Sequence, residues 1–152
     1  MNGRDLLINL EEECFKGRHF NKIKDNYRII QESLIDFNVA NYFFQTIIKT
    51  SDKTGKRYLV AKSTFELCFI NSQFIHDISI SPESIAHSIV DISSISKLVI
   101  ETDSETGKFD FNIYGNNDGI SLFYSLDQSR FEEINKFKNE LLKIITARSK
   151  TI

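Results

Sequence analysis

Residues 49–70, Lys-Thr-Ser-Asp-Lys-Thr-Gly-Lys-Arg-Tyr-Leu-Val-Ala-Lys-Ser-Thr-Phe-Glu-Leu-Cys-Phe-Ile, constrain the fold more than any other stretch of the chain. Ser51-Asp52-Lys53-Thr54-Gly55 has the chemistry of a tight turn, with Gly55 placed to take a positive φ. Before it, residues 42–48 are aromatic and β-branched. After it, residues 57–61 and 65–70 repeat that composition on either side of the polar Lys62-Ser63-Thr64. Such side chains suit a pleated, half-buried surface, so the region predicts a strand, a turn and two further strands.

Ahead of this region the pattern is helical. Leu6, Leu7, Leu10 and Cys14 recur at helical steps within residues 3–16, with Glu11, Glu12 and Glu13 between them and Gly17 placed as a stop. Ile23, Tyr27, Ile30, Leu34 and Phe37 then form one apolar stripe, and Asn38, which tolerates the left-handed conformation, is the expected end. Further along, Ser81-Pro82-Glu83 reads as an N-cap with Pro in the first turn. It predicts a short helix or turn over 82–88 and a strand over 88–92.

Strands are expected over 98–101, 109–113 and 120–124, with turns at Asp103-Ser104-Glu105-Thr106-Gly107 and Gly115-Asn116-Asn117-Asp118-Gly119. Phe109-Asp110-Phe111-Asn112-Ile113 alternates strictly, which places three apolar side chains inward and two polar ones outward. A last helix opens at Asp127 or Ser129, the latter forming a capping box with Glu132. Phe131, Ile134, Phe137 or Lys138, Leu141 and Ile145 trace its apolar face. Glu132 and Glu133 near its start, with Lys143 and Arg148 near its end, complement the helix dipole.

Composition narrows the function classes. A chain of 152 residues is sized for one domain with one core. A net charge of -2 offers no overall attraction to nucleic acid, so no nucleic-acid partner is expected. The opening Met-Asn-Gly-Arg-Asp-Leu-Leu holds no apolar signal region, and no apolar run approaches the roughly 20 residues that cross a bilayer. A cytoplasmic protein is therefore expected, with Cys14 and Cys68 as buried thiols rather than a bridge.

Catalytic signatures are missing from the sequence. The phosphate-loop pattern fails at both Thr-Gly-Lys turns: Thr50 and Thr102 stand where its first glycine belongs, and Arg57 and Phe109 where its hydroxyl residue belongs. His19, His76 and His87 are scattered and lack metal-ligand spacing. No glycine-flanked serine forms a nucleophile elbow. The expectation is a protein that is not an enzyme and uses no metal or cofactor.

One charged feature remains. Lys49, Lys53, Lys56 and Arg57 bracket a single turn with only Asp52 to offset them, and form the candidate ligand-binding set. Such a cluster attracts an anionic headgroup, at about 1 kcal/mol per cation near a membrane surface. Lysines on a hairpin also serve to block edge-to-edge pairing.

The strand order carries a resemblance. Lys56-Arg57-Tyr58-Leu59-Val60 followed by Leu67-Cys68-Phe69-Ile70 resembles the second and third strands of pleckstrin-homology (PH)-like domains. Ile89-Val90-Asp91-Ile92-Ser93-Ser94-Ile95 resembles an Ile-x-x-Ile strand of the bacterial members. The resemblance covers about residues 40–148. It implies an α+β fold: an antiparallel β-barrel or sandwich of about seven strands, closed by a C-terminal amphipathic helix, with two N-terminal helices packed on it. The whole chain would be one domain, residues 1–38 a helical extension and 39–149 the barrel with its helix. Family members that bind phosphoinositides use basic residues of the first hairpin, by position Lys49, Lys53, Lys56 and Arg57 here.

Three functions are consistent with the sequence, the first two on this resemblance and the third, a small orphan α+β protein, without it. The first is a non-catalytic binding module for a protein partner, recognised through an apolar groove or a free strand edge beside the closing helix. The second is binding of an anionic lipid through the basic hairpin. The third is a small immunity or inhibitor protein whose Glu11-Glu12-Glu13 face meets a basic partner.

Overall fold

The computed structural model describes the backbone of residues 1–14, 18–53, 56–116 and 119–149, and the side chains of 1–12, 21, 23–45, 65–116, 119 and 122–147. Among the described residues there are three α-helices, α1 (Gly3–Cys14), α2 (Arg18–Ser33) and α3 (Phe131–Ser149). Between α2 and α3 the described residues form seven strands: β1 (Asn41–Lys53), β2 (Lys56–Asn71), β3 (Phe74–Ile80), β4 (Ile85–Asp91), β5 (Ile95–Asp103), β6 (Lys108–Gly115) and β7 (Ile120–Asp127). They form an α+β fold with two antiparallel sheets, ordered β1-β2-β3-β4 and β5-β6-β7. Among the described residues no ladder joins the two sheets into a closed barrel. The chain packs as two compact units, residues 1–72 with 76–88 and residues 73–75 with 89–152.

In the first unit the predicted helical stripe is the buried one. Ile23, Tyr27, Ile30 and Leu34 join Leu6, Leu7 and Leu10 in a core with Phe65, Leu67, Phe69, Ile78 and Ile80 of the sheet. Asn2 caps α1 by accepting from the Asp5 N–H at 2.8 Å. Gly3 is required there because a Cβ would stand 2.8 Å from Leu34 Cβ and 2.9 Å from the Leu34 carbonyl. The Tyr27 hydroxyl donates to the Leu7 carbonyl and its ring meets Phe65 edge-on at 5.4 Å, which ties the two helices to each other and to β2.

The helix α2 ends earlier than the stripe predicts. Its last turn tightens after Ser33, where Leu34 N–H donates to the Gln31 carbonyl and Phe37 N–H to that of Leu34, both three residues back. The Ser33 hydroxyl competes for the Ile30 carbonyl at 2.8 Å. Asn38 is not its cap; it forms an isolated bridge with Asn2, and the Gly3 N–H donates to the Phe37 carbonyl at 2.8 Å.

The sheet also departs from expectation at three places. Ser51, Asp52 and Lys53 belong to β1, and Lys53 pairs with Lys56, so the connection is Thr54-Gly55, which lies outside the described residues. Lys62-Ser63-Thr64 does not interrupt the second strand: Lys62 pairs with Lys49, Ser63 with Ile48 and Thr64 with Ile47, because a backbone ladder continues through polar residues. Of the helix or turn expected over 82–88, the turn is what forms, and it is shorter than that range. Ser81 and Ser84 close a turn by a Ser81 N–H bond to the Ser84 carbonyl and a Ser84 N–H bond to the Ser81 hydroxyl, and β4 begins at Ile85. The β-branched residues that follow favour the strand. Asn26 of α2 holds this turn through the Ser81 carbonyl at 2.7 Å.

The second unit follows its sequence closely. The β5–β6 turn closes with Gly107 at φ +68 and its N–H on the Asp103 carbonyl. Phe109, Phe111 and Ile113 are fully covered, and Ile134, Phe137 and Leu141 of α3 supply the opposing apolar face. Phe137 meets Phe111 at right angles, 6.3 Å between centroids. Of the two polar positions Asp110 is half-buried, but Asn112 is buried and its Oδ1 has no hydrogen-bond partner. Asp127, not Ser129, is the capping residue. Its carboxylate accepts from the Ser129 N–H at 2.9 Å across a single 3-10 turn that leads into α3, and that bond holds the carboxyl below its ordinary pKa.

Candidate functional sites

The predicted basic set is placed by its backbone alone. Lys49, Lys53, Lys56 and Arg57 lie on β1 and β2, with Lys53 paired to Lys56, Asp52 to Arg57 and Lys49 to Lys62. Their side chains lie outside the described residues. So do those of Cys14, Glu13 and His19, whereas Cys68 is buried as a reduced thiol.

Two histidines that the sequence leaves scattered are brought together. His76 on β3 and His87 on β4 face each other across the hairpin that Ser81 and Ser84 close, with His76 Nδ1 2.9 Å from His87 Nε2. His76 is 2% exposed and lies flat on Phe69, with centroids 4.8 Å apart and rings within 1° of parallel. Phe37, from the segment between α2 and β1, meets His76 edge-on at 4.8 Å and His87 at 6.3 Å. Burial in this aromatic setting, with His87 beside it, pushes His76 down to about 4. Burial also lowers His87, against an opposing pull from the Asp77 carboxylate. Both rings are therefore neutral near pH 7, one donating and one accepting. Among the described residues no group of three or more His, Cys, Asp or Glu side chains is arranged to hold a metal.

On the three-stranded sheet, an open groove of about 370 Å³ is lined by Glu101, Asp103, Lys108, Asp110 and Ser125 with Thr102 and Thr106. Glu101 stands directly opposite Asp110, while Lys108 is matched by Asp103 on one side and Asp127 on the other. The groove is acidic, and its one lysine stands at a register position opposite an aspartate on each neighbouring strand. It is poorly suited to a phosphate.

The same sheet has an uneven apolar cover. Leu98 and Ile100 on β5 pair with Ile113 and Phe111 on β6, which pair in turn with Leu122 and Tyr124 on β7. Ile113 and Phe111 are 0% exposed, Leu122 8% and Tyr124 1%, yet Leu98 and Ile100 remain only partly buried. Since Phe111 packs on Phe137, this row of residues faces α3; its burial is complete or nearly so on β6 and β7 and incomplete on β5, an edge strand. The helix also touches the 3-10 turn Ile92–Ser94 that leads into β5, with Ile92 buried. Leu142 on α3 is 43% exposed.

No known protein-family model matches the chain, and no curated protein matches it. Among the described residues, no helix is long and apolar enough to cross a membrane.

Proposed function

We propose that the protein is a non-catalytic binding module on a PH-like barrel or sandwich, and that it takes an extended segment of a protein partner along β5. The observation that carries this reading is the burial gradient on the second sheet. An edge strand with partly exposed Leu98 and Ile100 offers main-chain pairing along the edge and an apolar strip for alternate side chains of an added strand. Further support for the scaffold comes from the division into four and three antiparallel strands followed by a C-terminal helix. The test is a peptide selected from a random library of extended decamers and titrated into ¹⁵N-labelled protein. Shifts are expected in β5 and the facing side of α3; shifts confined to any other surface reject the assignment.

The cross-strand register also gives the anionic-lipid reading a basis, because like charges directly opposed on a ladder are unfavourable and a bound anion offsets them. Sedimentation with anionic vesicles, weakening with salt and lost when Lys53, Lys56 and Arg57 become Ala, is the expected outcome on that reading. Unchanged sedimentation of the triple variant removes it.

A further inference from the structure

We infer that His76 and His87 form an acid-sensitive latch that holds the segment between α2 and β1 against the first sheet. The contact between them needs one N–H and one lone pair, at 2.9 Å. A first proton can be accommodated with that bond intact, preferably on His87, which is less buried and lies within reach of the Asp77 carboxylate. A second proton turns the remaining acceptor into a donor, so two cationic N–H groups confront each other and the bond is lost. The pair therefore titrates as a unit rather than as two independent rings.

The surroundings decide how much that matters. Among the described residues, the titratable neighbours resolved as acting on the pair are each other and Asp77 on β3; β2 presents Phe69 and the α2–β1 segment presents Phe37, neither of which ionises. An imidazolium over an aromatic face gains some cation–π attraction. His76 has nearly no contact with water, however, and the loss of hydration together with repulsion from His87 outweighs that gain, which is the direction its lowered pKa records.

Release of the pair withdraws two of the rings that Phe37 rests on and leaves it Phe69, 6.4 Å away between centroids, and so weakens its hold. Phe37 lies within a small closed circuit: the Gly3 N–H donates to the Phe37 carbonyl, the Val39 N–H to the Met1 carbonyl, and Asn2 bridges Asn38. Acid should therefore loosen residues 34–40 and the first residues of the chain together, while the β5–β6–β7 sheet, which holds no histidine, stays closed.

Hydrogen exchange corrected for intrinsic rates tests this between pH 7.5 and 4.5. Wild-type protein is expected to lose at least tenfold protection at Gly3 and Val39, with amides of β6 unchanged. His87→Gln, which keeps a neutral hydrogen-bonding group at the more exposed position, is expected to reduce that loss several-fold. Should the variant fail to fold, ¹⁵N titration of the two imidazoles in the wild type decides. Protonation of His76 well below that of His87 supports the latch. Independent titration of both rings near their ordinary value overturns it, as does protection at Val39 that does not change with pH.

Discussion

A neutral histidine pressed between two phenylalanine rings makes stability depend on pH. An unfolded histidine titrates near 6.5, and His76 in the fold titrates near 4. The folded state thus binds its proton less readily than the unfolded chain, so the contribution is intact above pH 6.5 and is lost as the pH falls toward 4. After discounting for solvent screening of a pair of which one member is partly exposed, the loss is of order 2 kcal/mol. Urea midpoints measured from pH 7.5 to 4 are expected to fall, and His76→Phe is expected to flatten the part of that decline lying between pH 6.5 and 4. An equal decline in that variant assigns the effect to other groups. The pairing was not legible from residue spacing, because His76 and His87 meet only if Ser81-Pro82-Glu83-Ser84 is a hairpin turn. The same four residues make a plausible helix start, and the local chemistry does not separate the two.

At the level of single elements, the most legible were those with one buried face. The α2 stripe from Ile23 to Leu34 and the apolar positions of β6 matched the buried side chains, since a half-buried element imprints its period on the sequence, but Asn112, expected outward, is buried too. The strand β3 was missed for the converse reason. Six of its seven residues are buried or half-buried, so polar His76 and Asp77 sit in a run with no clear period. The opposite error, splitting β2 at Lys62, left the expected number of strands near seven although two of its members were misplaced. The closing helix gives a direct check on packing. Phe137 is 0% exposed against Phe111, whereas Phe131 is 42% exposed although it touches Phe109. Phe137→Ala should cost about 3–5 kcal/mol in chemical denaturation, and Phe131→Ala markedly less. Equal costs would mean that α3 does not dock through this face.

For the whole molecule, the described residues form seven strands, three α-helices and two units, each with its own apolar core, and hold no group of three or more His, Cys, Asp or Glu side chains arranged to bind a metal. The candidate site moved accordingly. Sequence reasoning pointed to the charge-dense first hairpin because charge is visible residue by residue. Partial exposure of Leu98 and Ile100 depends on which distant parts of the chain pack over that edge of the sheet, and no local pattern reports that. The central claim is that β5 receives a partner strand. Calorimetric titration of the selected peptide into the wild type, the double variant Leu98→Lys with Ile100→Lys, and Phe123→Lys on the opposite edge tests it most directly. The account predicts at least tenfold weaker binding in the double variant, a change of about 1.4 kcal/mol or more, and no change at Phe123, provided that all three proteins give matching circular dichroism. Undiminished binding by the double variant, or loss at Phe123 alone, would contradict it.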